Sequence, residues 1–193
     1  MPRERTKTRL IIIAALIVAM GGSFLVSRFF QGEPTSEASA RGQVRTDADA
    51  VTVTDRTGHK VHVRTPAERI VSCYVAFAKM LAAIGAEEHI VGATRDKAKE
   101  LNVQSVGTHM SPNIEAIVAC RPDVVLVSSH RKKTIARLRE TLDPKQTSIL
   151  AVHPESIPET LDLIQQLGTI TENTVAAEDL VRDAEERLAN IKT

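Results

Sequence analysis

Tryptophan is missing from this 193-residue sequence, and tyrosine occurs once. With so few rings there is no aromatic platform on which nucleobases could stack. An excess of either charge is missing too: 25 Lys and Arg face 24 Asp and Glu, for a net charge of +1. No nucleic-acid partner is expected of such a balance. Cysteine is scarce, and Cys73 and Cys120 stand too far apart for a zinc or redox motif. They read either as two small buried residues, one ending a strand and one ending a helix, or, in an exported chain, as a disulfide. A nucleophile elbow, a phosphate loop, a dinucleotide fingerprint and a His-Glu-x-x-His helix are all absent. No nucleophile is paired with a base at recognisable spacing. The sequence is therefore not read as an enzyme, and no cofactor and no resident metal are expected of it.

Hydrophobic residues make up 42% of the chain, enough for one domain with a real core plus some non-domain sequence. The non-domain part comes first. Arg3, Arg5, Lys7 and Arg9 precede an apolar run over 10–26. That is the pattern of a signal peptide or an uncleaved signal anchor. The run is near the lower limit of roughly 17–25 residues for a membrane span. Ala38-Ser39-Ala40 has the form of a cleavage site, and no cysteine directly follows the run, which excludes a lipoprotein anchor. Residues 31–50 are polar and rich in Ser, Ala, Thr and Gly, a flexible spacer without the means to bury a core.

From residue 51 the pattern changes. Residues 51–54 and 60–63 alternate around Asp55-Arg56-Thr57-Gly58, a β-hairpin that Pro66 ends. Strands are expected at 69–73, 89–93, 124–127 and 147–152. Between them fall helices at 75–84, closed by Gly85, and at 132–142, with Ile135, Leu138 and Leu142 inward and Lys132, Lys133, Arg137 and Arg139 outward. Residues 96–103 read as a polar loop or helical turn. A helix over 156–167 opens on a capping box, Ser156 with Glu159, and Gly168 is expected to end it. A long helix over 174–191 carries an apolar stripe of Val175, Leu180, Val181, Ala184, Leu188 and Ile191. The expected fold class is α/β: a mostly parallel sheet flanked by helices, a Rossmann-like lobe with an N-terminal β-hairpin and a long C-terminal helix.

The best-punctuated stretch is 105–129, SVGTHMSPNIEAIVACRPDVVLVSS. Ser111 and Pro112 read as N-cap and first position of a short helix. Arg121-Pro122-Asp123 stops that helix, and the apolar run 124–127 is a strand covered on both faces. Open α/β sheets bind ligands at the carboxyl ends of their strands. Four ligand-type side chains fall there: Tyr74, Arg95, His109 and His130, the last opening the basic run His130-Arg131-Lys132-Lys133. A rim of phenol, imidazole, guanidinium and ammonium groups suits an anionic or metal-chelate ligand. Glu115, in the first turn of the short helix, either complements the helix dipole or offers an exposed acid for docking a basic partner.

These pieces resemble a known family in order and spacing. VTVTDRTGHKVHVRTPAERIV, AFAKMLAAIGAEEHIVGAT and VGTHMSPNIEAIVACRPDVVLVSS together resemble the N-terminal lobe of class III periplasmic substrate-binding proteins. Those proteins serve ABC importers for ferric siderophores, haem and vitamin B12. The resemblance implies a lobe over 51–173 and, over 174–193, the start of the helix that joins two lobes, with the second lobe absent. It implies binding of an iron chelate, haem or cobalamin as cargo, and an ABC permease as partner. It also implies an exported, periplasmic location, with anchorage to the inner membrane by residues 10–26 if they are not cleaved. Glu115 falls on the glutamate that meets permease arginines in this family. Tyr74, Arg95, His109 and His130 fall on the loops that line the cleft, His109 where some members carry an aromatic or haem-contacting residue. The alternative expectation is a membrane-tethered one-lobe interaction or sensory module without transport.

Overall fold

The computed structural model describes residues 50–191. The expected export segment over 1–30 and the spacer from residue 31 to residue 49 lie outside the described residues. Ala50, read as spacer, already belongs to the first strand. Strands β1 (Ala50–Thr54) and β2 (Lys60–Arg64) pair antiparallel, Val53 opposite Val61. Asp55 closes their loop. Its buried carboxylate accepts hydrogen bonds from Thr57 N at 2.8 Å, Thr57 Oγ1 at 2.6 Å and His59 N at 3.0 Å. Burial alone would raise the pKa of this carboxyl, but the Thr57 hydroxyl, the backbone donors and the neighbouring His59 outweigh it and hold the pKa below its ordinary value.

The main sheet then builds from β3 (Ile70–Ser72), β4 (Ile90–Ala93), β5 (Gln104–Ser105), β6 (Val124–Ser128) and β7 (Ser148–Val152), all parallel, in the order β5-β4-β3-β6-β7. Between them run α1 (Val75–Ala83), α2 (Arg95–Leu101), α3 (Ile114–Ala119) and α4 (Lys132–Thr141), with α5 (Ile157–Ile170) and α6 (Thr174–Ile191) following β7. Alternate strand residues serve opposite layers, as the two-residue period demands. Ile70, Val124 and Leu126 pack with Phe77, Leu81 and Leu167 on one face. Val71, Val125 and Val127 pack with Ile117, Ile135 and Leu138 on the other. Every residue of β3 and β6 is buried. This is the helix-flanked parallel sheet with leading hairpin and long final helix that the sequence pattern implies.

Three local expectations are corrected. The short helix begins at Ile114, not at Pro112, and its cap is Asn113, whose side chain accepts from Ala116 N at 2.9 Å. Ser111 is occupied elsewhere: its backbone exchanges hydrogen bonds with Thr108, both at 3.2 Å, closing a tight loop. Gly168 does not end α5, which continues to Ile170. A Cβ on Gly168 would lie 2.4 Å from Ala177 Cβ, so this glycine lets α6 cross α5 at close range. Val175, expected inward, is 73% exposed, because α6 meets the core through Ala177 and Val181 instead. The alternative left open at residues 96–103 resolves as a helix, α2, that ends at Asn102 in the left-handed conformation.

Both cysteines are buried free thiols, so the disulfide reading is not realised. Cys120 Sγ points to its own helix, 3.2 Å from Ala116 O. Burial, with Cys120 nearby, pushes the Cys73 thiol up to about 12, which leaves no thiolate at neutral pH.

Gly168→Ala tests the helix crossing. In a solvated helix this change would stabilise by about 1 kcal/mol. Here the added methyl must displace α6, and a loss of about 1–3 kcal/mol is expected. Urea unfolding followed by far-UV circular dichroism measures it.

Candidate functional site

Chain order reverses direction between β3 and β6. From β3 the sheet grows outward through β4 to β5, then returns to the other side of β3 with β6 and β7. A crevice opens above the carboxyl ends of two strands wherever such a switch occurs. Register sets the two ends side by side: Ser72 lies opposite Leu126, and Cys73 N donates to Leu126 O at 2.9 Å. Tyr74 therefore leaves β3 next to the point where Ser128, Ser129 and His130 leave β6.

Tyr74 occupies the N-cap position of α1 without capping it. Its ring is held edge-on by Phe77, centroids 5.3 Å apart at 82°, a favoured aromatic geometry. On its other side lies His109, 4.3 Å between centroids. His109 comes from the far end of the sheet, beyond β5, and a tight loop brings it back. Gly107 adopts φ +89 and bridges Pro112, and a Cβ there would come 2.6 Å from Ser111 O, so only glycine fits. Asn113 N donates to Val106 O at 2.9 Å and pins the base of the loop. His109 Nδ1 is buried and makes no hydrogen bond. Burial lowers the pKa of this imidazole first, and the Arg131 guanidinium adds to the effect. The Cys73 backbone opposes them, and His153 pulls the same way as Arg131.

Of the four side chains read from the sequence, Tyr74 and His109 are brought into contact. His130 stands on the same rim but turns to another partner, His153, with ring centroids 4.0 Å apart. Arg95 is exposed at the start of α2. Its backbone N donates to Gly107 O at 2.8 Å, so it sits beside the His109 loop. Its guanidinium forms no ion pair among the described residues. Glu115 is exposed in the first turn of α3.

Three contributors escaped the sequence reading. Arg131, buried at Nε without a hydrogen bond there, reaches Met110 Sδ in the His109 loop. In the sequence it reads only as part of a basic run. His153 and Glu155 follow β7. The rule that singled out the other strand ends applied there too, and His153 is the first residue after that strand. Taken together, the rim offers one phenol, three imidazoles and a guanidinium around the β3/β6 crevice. That set can grip an anionic, ring-bearing or metal-bearing small molecule by stacking, charge and coordination.

A neutral His109 at physiological pH follows from its surroundings. The folded imidazole binds its proton less well than the unfolded one, so stability contributed here is full above the unfolded value of 6.5 and is lost as pH falls toward the lower folded value. An NMR titration of the His109 ring is expected to show a midpoint below 6.5. Arg131→Ala should move it upward, and an unmoved midpoint would contradict the assigned charge effect.

The comparisons with known proteins bear on this geometry. A family model described as periplasmic binding protein matches residues 70–193. An uncharacterised ABC transporter substrate-binding lipoprotein, YvrC of Bacillus subtilis, is 24% identical over 165 residues, covering 83% of this chain and 52% of that protein. A periplasmic solute binding protein from Veillonella parvula superposes with a TM-score of 0.64 at 23% identity, over 74% of this chain and 47% of the other. The iron uptake ABC transporter substrate-binding protein PiuA from Streptococcus pneumoniae gives 0.62 at 22% identity, over 73% and 51%. The chain thus spans about half the length of the relatives it matches. That family is one of substrate-binding proteins rather than enzymes. The family match covers every strand of the main sheet and both sides of the β3/β6 crevice, and the chain belongs to the periplasmic binding protein family, carrying the N-terminal lobe of its class III fold.

Proposed function

We propose that this chain captures an iron chelate, a ferric siderophore or haem, for an ABC importer. The observation that carries the reading is the stacked pair of Tyr74 and His109 at the β3/β6 switch point, with the Arg131 cation beside it. Ferric siderophores and haem are planar or ring-rich, carry anionic groups and surround a metal. The rings of Tyr74 and His109 offer stacking surface, and Arg131, Arg95, Lys132 and Lys133 offer counter-charge. Similarity to an iron uptake substrate-binding protein supports the iron part of this reading. Cobalamin, which shares the size and the ring but not the anionic periphery, is the competing cargo.

Delivery needs a docking contact. Glu115 stands exposed on α3, away from any intramolecular ion pair among the described residues, and suits an arginine of the permease. A carboxylate in such a rim position contributes to recognition and association rate more than to stability. Residues 51–173 then act as one wall of the binding cleft and residues 174–193 as the start of the joining helix. Residues 1–30 direct export, and residues 10–26, if retained, hold the protein at the outer face of the inner membrane.

Isothermal titration of the chain with haem, ferric siderophores and cobalamin tests the cargo. An iron chelate should bind, Tyr74→Ala and His109→Ala should each weaken it by about 10-fold or more, the loss of roughly 1.4 kcal/mol of ring contact, and no binding to any of the three would sink the reading. Docking is tested separately. Glu115→Arg should leave chelate affinity unchanged while lowering chelate-stimulated ATPase activity of the reconstituted importer, and equal stimulation by both forms would remove Glu115 from the interface.

A further inference from the structure

A second cluster sits beside the stacked pair, at the ends of β6 and β7. We propose that His130, His153 and Glu155 form a site for one divalent transition-metal ion of the nitrogen-preferring kind, such as Zn2+. The proposal goes beyond the chelate reading and does not depend on it, because here the ion is held by the protein's own side chains.

One ligand atom from each of the three residues lies within 4.8 Å of the other two. His130 Nε2 is 3.8 Å from Glu155 Oε1. A tetrahedral ion held at about 2.0–2.1 Å by nitrogen and oxygen would set its ligand atoms roughly 3.3 Å apart. For that pair the gap to close is about half an ångström, while the three ligand atoms all lie within 4.8 Å of one another. His130 and Glu155 can make it by side-chain rotation, since 61% and 59% of their side-chain surfaces are exposed. Two imidazoles and a carboxylate are a donor set for Zn2+ and its neighbours, not for the oxygen-seeking Ca2+ or Mg2+. Three protein ligands also leave a position open for water or a small anion.

The surroundings steady the donors. Ser128, buried at the end of β6, has its hydroxyl 3.3 Å from His153 Nδ1, and the two imidazole rings lie 4.0 Å apart. Glu155 is held from behind. Its Oε2 pairs with Arg56 at 3.1 Å, which leaves Oε1 to face the histidines. Its backbone N donates to Glu159 Oε2 at 2.8 Å, and Arg56 spans to Glu159 Oε1 at 2.9 Å. Arg56 itself is positioned from the hairpin, its N bonded to Ala151 O at 2.9 Å. One guanidinium among two carboxylates leaves a net negative charge, which favours a cation. Outer partners of this kind orient metal ligands. An ordinary surface ion pair would require neither the second imidazole nor the buried serine.

The test uses the full chain in mild detergent, stripped with a chelator, titrated with Co2+ and read by its visible ligand-field absorption, with Zn2+ as competitor. One equivalent per chain is expected, displaced by Zn2+. His130→Ala and His153→Gln should each weaken binding by more than the roughly 10–100-fold that loss of an outer-shell partner costs. His89→Ala and Tyr74→Ala should leave it unchanged. His130 is exposed, so His130→Ala remains informative if His153→Gln fails to fold, and circular dichroism checks both. No stoichiometric Co2+ uptake, or uptake that survives His130→Ala undiminished, overturns the proposal. One equivalent of Co2+ still taken up by Tyr74→Ala, whatever that variant's haem and siderophore titrations show, separates this site from the chelate surface.

Discussion

The pairing of β3 with β6 is the constraint on which the rest depends. Ile70 opposite Val124, Val71 opposite Val125 and Ser72 opposite Leu126 form the buried seam of the sheet. The seam is locked at its base. Asp123 accepts from Glu68 N at 2.9 Å and Arg69 N at 3.0 Å, while the Arg69 guanidinium donates to Cys120 O and Arg121 O. A side chain deleted there would remove the bonds that tie the start of β3 to the turn before β6. Because side chains alternate faces, a slip of one residue would exchange the two cores. It would also separate the two strand ends that make the crevice. Stability and site geometry thus rest on the same register.

The site is assembled from pieces of two kinds. Tyr74, Ser128 and His130 are delivered directly by strand ends. His109 is delivered by a loop, and that loop carries its own internal bonding through Gly107, Thr108, Ser111 and Asn113. An imidazole nitrogen buried without a partner is costly in a protein interior, and the loop holds it there, against Tyr74 and Arg131. The leading hairpin, which makes no strand pair with the main sheet, also braces the rim. Asp55 closes its turn and meets Arg139 of α4 at 3.4 Å, and Arg56 reaches over β7 to Glu155 and Glu159.

Much of this was legible from local rules. The N-cap at Ser156, the apolar run 124–127 and the stop at Arg121-Pro122 all describe short stretches whose physics is contained within a few residues, whereas the Glu159 carboxylate expected to complete a capping box accepts from Glu155 N instead. The errors fall where a distant partner intervenes. Gly168 looks like a helix end until α6 is laid against it. Ser111 and Pro112 look like a helix start until Gly107 turns the chain and claims Ser111 for a loop. Val175 fits the helical period but not the face that Ala177 and Val181 choose. His153 and Glu155 follow the end of β7, but what sets them together with His130, beyond the end of β6, is the pairing of those two strands.

The alternation of strands and helices, the covering of the sheet on both faces and the placing of polar residues at strand ends were determined by the sequence itself, since hydrophobic period and turn chemistry act over neighbouring residues. Which strand ends become neighbours was decided only by tertiary structure. The order β5-β4-β3-β6-β7 sets Tyr74 beside His130 and folds His109 back across the sheet. No local rule contains that order, because it is chosen by how whole layers bury their apolar faces against one another.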